Sequence, residues 1–484
     1  MSAARQPLTS IVVVGAGQVG VLAAIAMKRA LPSAQVIIVG IPLHPGALAD
    51  RASTALPFTN ELHDRLGIEE RAIIDHAEGS HRLLTRLFGW GSPGTSGAVP
   101  YGAVATQSML DHLGHEWGGG ALGAGDDPAK ASLAGLLADA GRFAVSDGIA
   151  PNPIDKVEYA LRWSQPKYHA LLVAEAQKLG VSHVSGDLTA ITFDDDGGIA
   201  ALNFSDGGRV GADLFLDCSG PAAHLLSGLP DFTLVDWSPH LPLRRLLLAR
   251  PQQPMTVLED RFSLIPEGWL AEVGGRDGLH LTLGVGAGVS EQAALSALGA
   301  APLLGFDLEQ SCATDSWVGN VIALGDAAAR FEPLGHLNLD CAHRQIDLLL
   351  EMLPGRRIDA GERTEFNRRN ALIMAGVRDT LAMYYAAPAA PAIFRPAEPT
   401  HELESALYQF KSRARMPFRE EMPLLPGELK VLAAALGFSP SNAQGPDVRS
   451  DAGREAAFVK EARAVLNATP PYAEWIRSQD FANV

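Results

Sequence analysis

Three cysteines in 484 residues, Cys218, Cys312 and Cys341, form no CxxC pair. That excludes a cysteine zinc site or a disulfide scaffold, and they read as small buried residues in a reducing compartment. No metal site is expected. Basic runs of five or more are absent, and a net charge of -16 argues against nucleic acid or an anionic membrane as partner. No apolar stretch approaches the roughly 20 residues that a membrane span needs. Met1 to Arg5 lead straight into a strand, which leaves no room for a signal peptide, so a cytoplasmic location is expected. Internal repeats are also missing. With 47% hydrophobic residues, the chain can instead bury two or three domain-sized cores.

The first clear element is a β-α-β unit over residues 11–39. Ile11 to Val14 is a continuous apolar run, as a buried parallel strand requires. Gly15, Gly17 and Gly20 follow in GxGxxG spacing and open a helix carrying Val21, Leu22, Ile25 and Ala26, which stops near Ala30. Val36 to Val39 is the second strand. In this context the glycines point to a dinucleotide. Gly15 permits the tight turn, Gly17 lets a pyrophosphate approach, and Gln18, Val19 and Gly20 present N–H donors at the positive end of the helix. The alternative is an ordinary glycine-rich turn. An acid normally closes the second strand and bonds the ribose. Gly40 holds that place, and the next acid is Asp50. Either another group does the job or cofactor affinity is weakened.

Further on, residues 40–57 read as loop, 58–90 as helical, and 91–128 as glycine-rich surface loops. A helix is expected at 167–180, strands at 182–194, 199–205, 213–218 and 321–324, and β-structure near 233–249 and 278–285. A long helix spans about 337–353, and the remainder is mostly helical with a proline-rich break at 387–399. Two segments join the glycine turn. Gly325-Asp326, followed by Pro333, Gly335, Leu337 and Asn338 at a helix start, resembles the second FAD fingerprint of flavin monooxygenases; an N-cap role for Asp326 is the plain alternative. Asp213 to Gly220 resembles the Asp-x-Ser-Gly strand-turn of the same enzymes, and a merely structural turn is again the alternative.

More specific stretches resemble the flavin-dependent tryptophan halogenase family. They are Trp317 to Leu334, with its GNVIALG and EPL pieces, Asp194 to Gly220 with DCSG, and Glu365 to Tyr385 with RD and a terminal tyrosine pair. The resemblance implies an α/β fold: a discontinuous Rossmann-type FAD-binding domain, flavin monooxygenase-like, from 1–50, 165–230 and 311–354. A mainly helical substrate domain would take 51–164, 231–310 and 355–484. It also implies reduced FAD supplied by a separate flavin reductase, and halide oxidised to hypohalous acid. That oxidant passes to a lysine beside a small aromatic substrate, with a glutamate assisting. A homodimer is left open.

Several of the family's residues have changed. The lysine position is matched by Arg82, expected on a helix before Trp90. Arginine stays protonated and is a poor nucleophile, although it could bond an oxidant or a carboxylate. A surface arginine on an amphipathic helix is the plainer reading. The glutamate of the EPLES segment is matched by Gly335 and its serine by His336, while Glu332 is retained. His336 could act as a base or simply pack. The WxWxIP motif is reduced to Trp269, with Ala271, Val273 and Gly274 beside it, and the HY pair is Tyr384-Tyr385. Arg82, Glu332 and His336 are the catalytic candidates, and Trp269, Tyr384 and Tyr385 the substrate-binding ones. If the alignment slips, Lys167 and Glu332 are the nearest replacements. Two functions follow: an FAD-dependent oxidoreductase performing oxygenation or atypical halogenation, or a non-catalytic homologue acting as a binding or partner subunit. An ordinary NAD(P) dehydrogenase does not need the segments at 213–220 and 325–338.

Overall fold

Four short apolar runs, at 11–14, 36–39, 214–217 and 321–323, pair side by side because each is buried on both faces and lacks an alternating polar side. The computed structural model describes residues 6–102, 132–146, 153–195, 197–230, 232–413, 415–440 and 452–479. The chain divides into two units, one made of 1–77, 164–238 and 306–377, the other of 78–163, 239–305 and 378–484.

The first unit is built on a six-stranded sheet. Its order is 317–318, 321–323, 214–217, β1 (Ser10–Val14), β2 (Gln35–Gly40) and 182–185. All neighbours are parallel except the 317–318 edge. The register sets Val14 beside both Val39 and Asp217, and Asp217 beside Ala323. The turns that follow the strands, at Gly15, Gly40, Cys218 and Leu324, therefore gather along one carboxyl edge, where α/β sheets bind ligands. Helix α1 (Gln18–Ala30) is buried for ten successive residues from Gln18 and packs with helices Gln165–Lys178 and Leu337–Glu351. The expected strands at 182–194 and 199–205 form as 182–185, 188–193 and 199–204, the last two in a small antiparallel sheet.

The second unit centres on a seven-stranded sheet in the order 302–307, 245–249, 279–285, 268–274, 259–265, 84–88 and 96–100. Its C-terminal part is helical, as expected, with helices at His401–Arg413, Pro426–Ala435 and Tyr472–Ser478. One expectation is corrected. Residues 80–90 do not continue a helix: Ser80–Arg82 pairs with 160–162, and Leu84–Phe88 pairs with both 259–263 and 96–100. Leu83, Leu84 and Leu87 have helical spacing, but all three are buried where this segment pairs with neighbouring strands, so tertiary pairing overrides local preference. Most of the expected glycine-rich loops, residues 103–131, lie outside the described residues.

Candidate functional site

At the carboxyl edge of the first sheet, the glycine turn is compressed from two sides. Gly15 has φ of 111°, and a Cβ there would lie 2.1 Å from the Cys218 carbonyl oxygen. A Cβ at Gly20 would lie 2.0 Å from the Gly15 carbonyl oxygen. Only glycine fits either position, which ties the turn closely to α1. Beside it lies a cavity of about 190 Å³ between Gly15–Gly17, Ile41–Leu43, Asp50, Gln165, His169 and Cys218–Ser219. His169 Nε2 donates to the Ala16 carbonyl at 2.6 Å and so faces the turn from helix Gln165–Lys178.

The position of the missing ribose acid is filled from elsewhere. A Cβ on Gly40 would lie 3.2 Å from the His183 imidazole, so this ring stands where an acid's side chain would start. Asp50 is nearby but does a different job. Its Oδ1 accepts from Val19 N–H at 2.9 Å, and the carboxylate packs directly on Gly17. Burial pushes Asp50 up to about 6, against the Val19 N–H and the His169 and Arg51 charges. Gln18 donates to the carbonyls of Ala49 and Ala52 at 2.6 and 2.9 Å, and the Asp326 carboxylate accepts from Ala49 N–H at 2.8 Å. The short helix α2 (Leu48–Arg51) is thus held on the start of α1 by both fingerprints. Burial also drives Asp326 well above the usual carboxylate range, with Asp50 adding to the rise.

Asp217 spends its carboxylate on its own turn, accepting from Ser219 N–H and Oγ and from the N–H groups of Leu225 and Leu226. That favours the structural reading of the 213–220 segment, and it places Gly220, with φ of 75°, against Ala47. Further along the same unit, Gly325 donates to Gln345, and Glu332 is fully buried and exchanges two hydrogen bonds of 3.2 Å with Gln310. Gly335 and His336 are both left-handed, with φ of 72° and 61°, and lead into helix Leu337–Glu351. Asn338 donates to the Phe331 carbonyl and ties the Phe331–Pro333 segment to this helix. A glutamate at 335 would have to adopt a conformation that costs an L-residue about 1–2 kcal/mol. A left-handed histidine is itself strained, a feature that concentrates at functional segments.

The remaining candidates belong to the second unit. Arg82 is not a surface residue: Nη1 donates to Asp260 Oδ2 at 2.8 Å, and both side chains have no exposed area. Arg162 binds the other oxygen of the same carboxylate and also donates to the carbonyls of His81, Val257 and Glu259. The Tyr101 ring lies 5.2 Å from the Arg82 guanidinium carbon. Trp269 is buried flat on Gly284 and donates to Tyr385 Oη at 3.3 Å, while Tyr384 meets Trp90 edge-on at 5.1 Å. Trp269 and Tyr385 are therefore brought together, while Tyr384, also buried, packs on Trp90 instead. Burial raises the Tyr384 hydroxyl further above its ordinary value. Lys167 is exposed on a helix of the first unit, while Arg82 belongs to the second.

Sequence reasoning missed Asp260, although a signal existed. In 258–262, Leu258, Asp260 and Phe262 share the buried phase of a strand, and an acid there needs a buried cation. His169, His183 and the contact of Asp50 with Gly17 carried no such signal, since each depends on loop or strand placement.

The tryptophan halogenase family model matches residues 10–443. The chain belongs to the tryptophan halogenase family. Curated relatives include a tryptophan 7-halogenase of Kutzneria sp. (strain 744), 26% identical over 421 residues, covering 78% of this chain and 76% of the relative. Another is a tryptophan 6-halogenase of Streptomyces albogriseolus, 23% identical, covering 79% and 77%. Among solved structures, a flavin-dependent halogenase from Xanthomonas campestris superposes with a TM-score of 0.85 at 21% identity, covering 98% of this chain and 99% of that one. One from Brevundimonas sp. BAL3 gives 0.82 at 19%, again covering 98% and 99%. At these identities the structural matches speak for the fold, an α/β architecture with a Rossmann-type first unit. Family membership makes this a member of an FAD-dependent enzyme family. No helix among the described residues is long and apolar enough to cross a membrane, and no metal-ligand cluster occurs among them.

Proposed function

We propose that this family member is an enzyme that uses reduced FAD, delivered by a separate flavin reductase, to oxidise a small aromatic substrate by oxygenation or atypical halogenation. The observation that carries the reading is the intact dinucleotide turn, with Gly15 and Gly20 locked by close backbone contacts and a cavity beside them. These residues fit the adenosine half of FAD, with Gly15 and Gly20 fixing the turn that faces the phosphates and His183 standing for the ribose acid. We assign Gly325, Asp326 and the start of helix Leu337–Glu351 to the ribitol and ring end, where a helix N-terminus favours negative charge. FAD, when bound in reduced form, supplies the electrons that activate oxygen.

The chain's own residues set which route follows. Arg82 is bound to Asp260 and carries no lone pair, so we assign it to holding the Ser80–Arg82 strand and not to carrying chlorine. Gly335 brings no carboxylate. Proton handling falls to Glu332 and His336, which flank the Pro333–Gly335 turn. We assign the buried aromatics Trp269, Tyr384 and Tyr385 to the substrate. Removing one acid-base group commonly lowers a rate by about 10² to 10⁴. With both the lysine and the glutamate replaced, free tryptophan should not be chlorinated.

The test supplies FAD, a flavin reductase, NADH, oxygen and chloride or bromide, and screens indoles and phenols by mass spectrometry. A product gaining one halogen or one oxygen supports the proposal, and chlorotryptophan from the unmodified protein refutes the assigned route. A non-catalytic homologue is favoured by the same departures at Gly40, Arg82 and Gly335. The protein's absorbance with FAD separates the two, because a subunit that has lost the chemistry shows no stoichiometric flavin bands.

A further inference from the structure

We propose that Asp50 is the residue that sets the affinity of the dinucleotide seat for phosphate, by occupying the anion position at the start of α1 with its own carboxylate. The inference rests on the reading of the first unit as the dinucleotide seat. A glycine at the second position of GxGxxG leaves room for a pyrophosphate to reach the backbone. Here that room is taken. A Cβ on Gly17 would lie 2.3 to 2.5 Å from the Asp50 carboxylate atoms, so the group resting on Gly17 is an internal acid.

The same acid accepts from Val19 N–H in the first turn of a 13-residue helix, which is where the N–H donors and the positive dipole end are concentrated. Asp50 is 3% exposed, so little water screens its charge from an incoming anion. Nor is it free to swing away on its own. Its helix α2 is fastened by Gln18 to two carbonyls, by Asp326 to the Ala49 N–H, and by Gln165 to the Asp50 carbonyl. Asp50 also lines the cavity beside Gly15, but adenosine carries no charge and so can use that cavity without electrostatic opposition from the carboxylate. A pyrophosphate, with two negative charges, has to displace it or bind against it.

Protonation relieves the conflict, and Asp50, pushed up to about 6 by burial, is placed to take up a proton in mildly acidic solution. The charged groups facing it are His169 from helix Gln165–Lys178, Arg51 on its own helix, and Asp326 from the turn after Leu324; the Cys218 thiol also lies near.

The experiment is calorimetric titration of the full-length protein with adenosine and with ADP-ribose, a pyrophosphate diester whose charge is constant between about pH 5 and 8. Asp50→Asn keeps the shape and an acceptor for Val19. It should tighten ADP-ribose about tenfold or more at pH 8, leave adenosine unchanged, and flatten the pH dependence. In the wild type, ADP-ribose should tighten progressively from pH 8 to pH 5.5, a measurement that stands even if the variant does not fold. Equal ADP-ribose affinity in both proteins, equal gains for both ligands, or an ADP-ribose affinity in the wild type that does not change with pH would overturn the role of Asp50 while leaving the dinucleotide seat in place. Failure of either protein to bind adenosine or ADP-ribose at millimolar concentration would overturn both.

Discussion

Replacing Asp260 with alanine should strongly destabilise the core of the second unit, while replacing Arg82 with lysine should fail to create a reactive amine. Asp260 binds Arg82 through one carboxylate oxygen and Arg162 through the other, with side-chain exposures of 0% for Asp260 and Arg82 and 1% for Arg162. Asp260→Ala leaves two guanidiniums in the interior without the anion they share. Breaking a buried pair in this way costs about 3–5 kcal/mol, a large share of the roughly 5–15 kcal/mol that holds a domain folded. At a urea sensitivity of about 2–3 kcal/mol per molar, the unfolding midpoint should fall by about 1–2.5 M. Arg82→Lys keeps the charge but loses the planar fork and the face over Tyr101, and should cost about 1–2 kcal/mol. The introduced ammonium would sit beside the Asp260 carboxylate, which favours its protonated form and removes the lone pair that chlorine needs. Urea unfolding followed by circular dichroism reads the first effect. Reductive methylation with peptide mass spectrometry reads the second. An unchanged midpoint in Asp260→Ala, or rapid labelling of the introduced amine in folded protein at neutral pH, would refute the reasoning.

Three further outcomes are expected. His63, hydrogen-bonded to Tyr168 and packed edge-on to His343, is pushed down to about 4 by burial. It is neutral when folded and gains a proton below about 6.5 when unfolded, so its contribution is complete above that pH and is lost as pH falls toward 4. His63→Gln should therefore remove up to about 3 kcal/mol of the acid-linked loss, seen as a difference in melting between pH 7 and pH 4.5 from that of the wild type; identical pH profiles would contradict it. His183→Ala should weaken adenosine binding about threefold to tenfold by calorimetry, the worth of one hydrogen bond, and no change would mean that the ribose is held elsewhere. Gly20→Ala places a methyl 2.0 Å from the Gly15 oxygen and should abolish ADP-ribose binding while lowering the melting temperature; retained binding would show that the turn is more pliant than its contacts suggest.

Local signals in the sequence were enough for the first sheet and for the glycine turn. Continuous apolar runs encode strands buried on both faces, and glycines at 15, 17 and 20 encode a backbone approach that no side chain permits. Both are properties of a few adjacent residues, and they survive in any context. The family was legible for a related reason: its motifs sit at strand ends, where the parallel register collects them. The segment around Arg82 depended instead on tertiary pairing. Leucines at 83, 84 and 87 suit a helix or a strand, and only strand partners, at 96–100 and, more than a hundred residues away, at 259–263, decide between them. The same is true of charge. Asp50 is merely the next acid after Gly40 until α2 folds it onto Gly17, and Arg82 is a lone arginine until Asp260, 178 residues later, meets it in the interior. Burial and electrostatic pairing are set by distances through space, which sequence spacing does not specify, so the glycine spacing alone marked the dinucleotide turn and the tertiary structure decided which charges surround it.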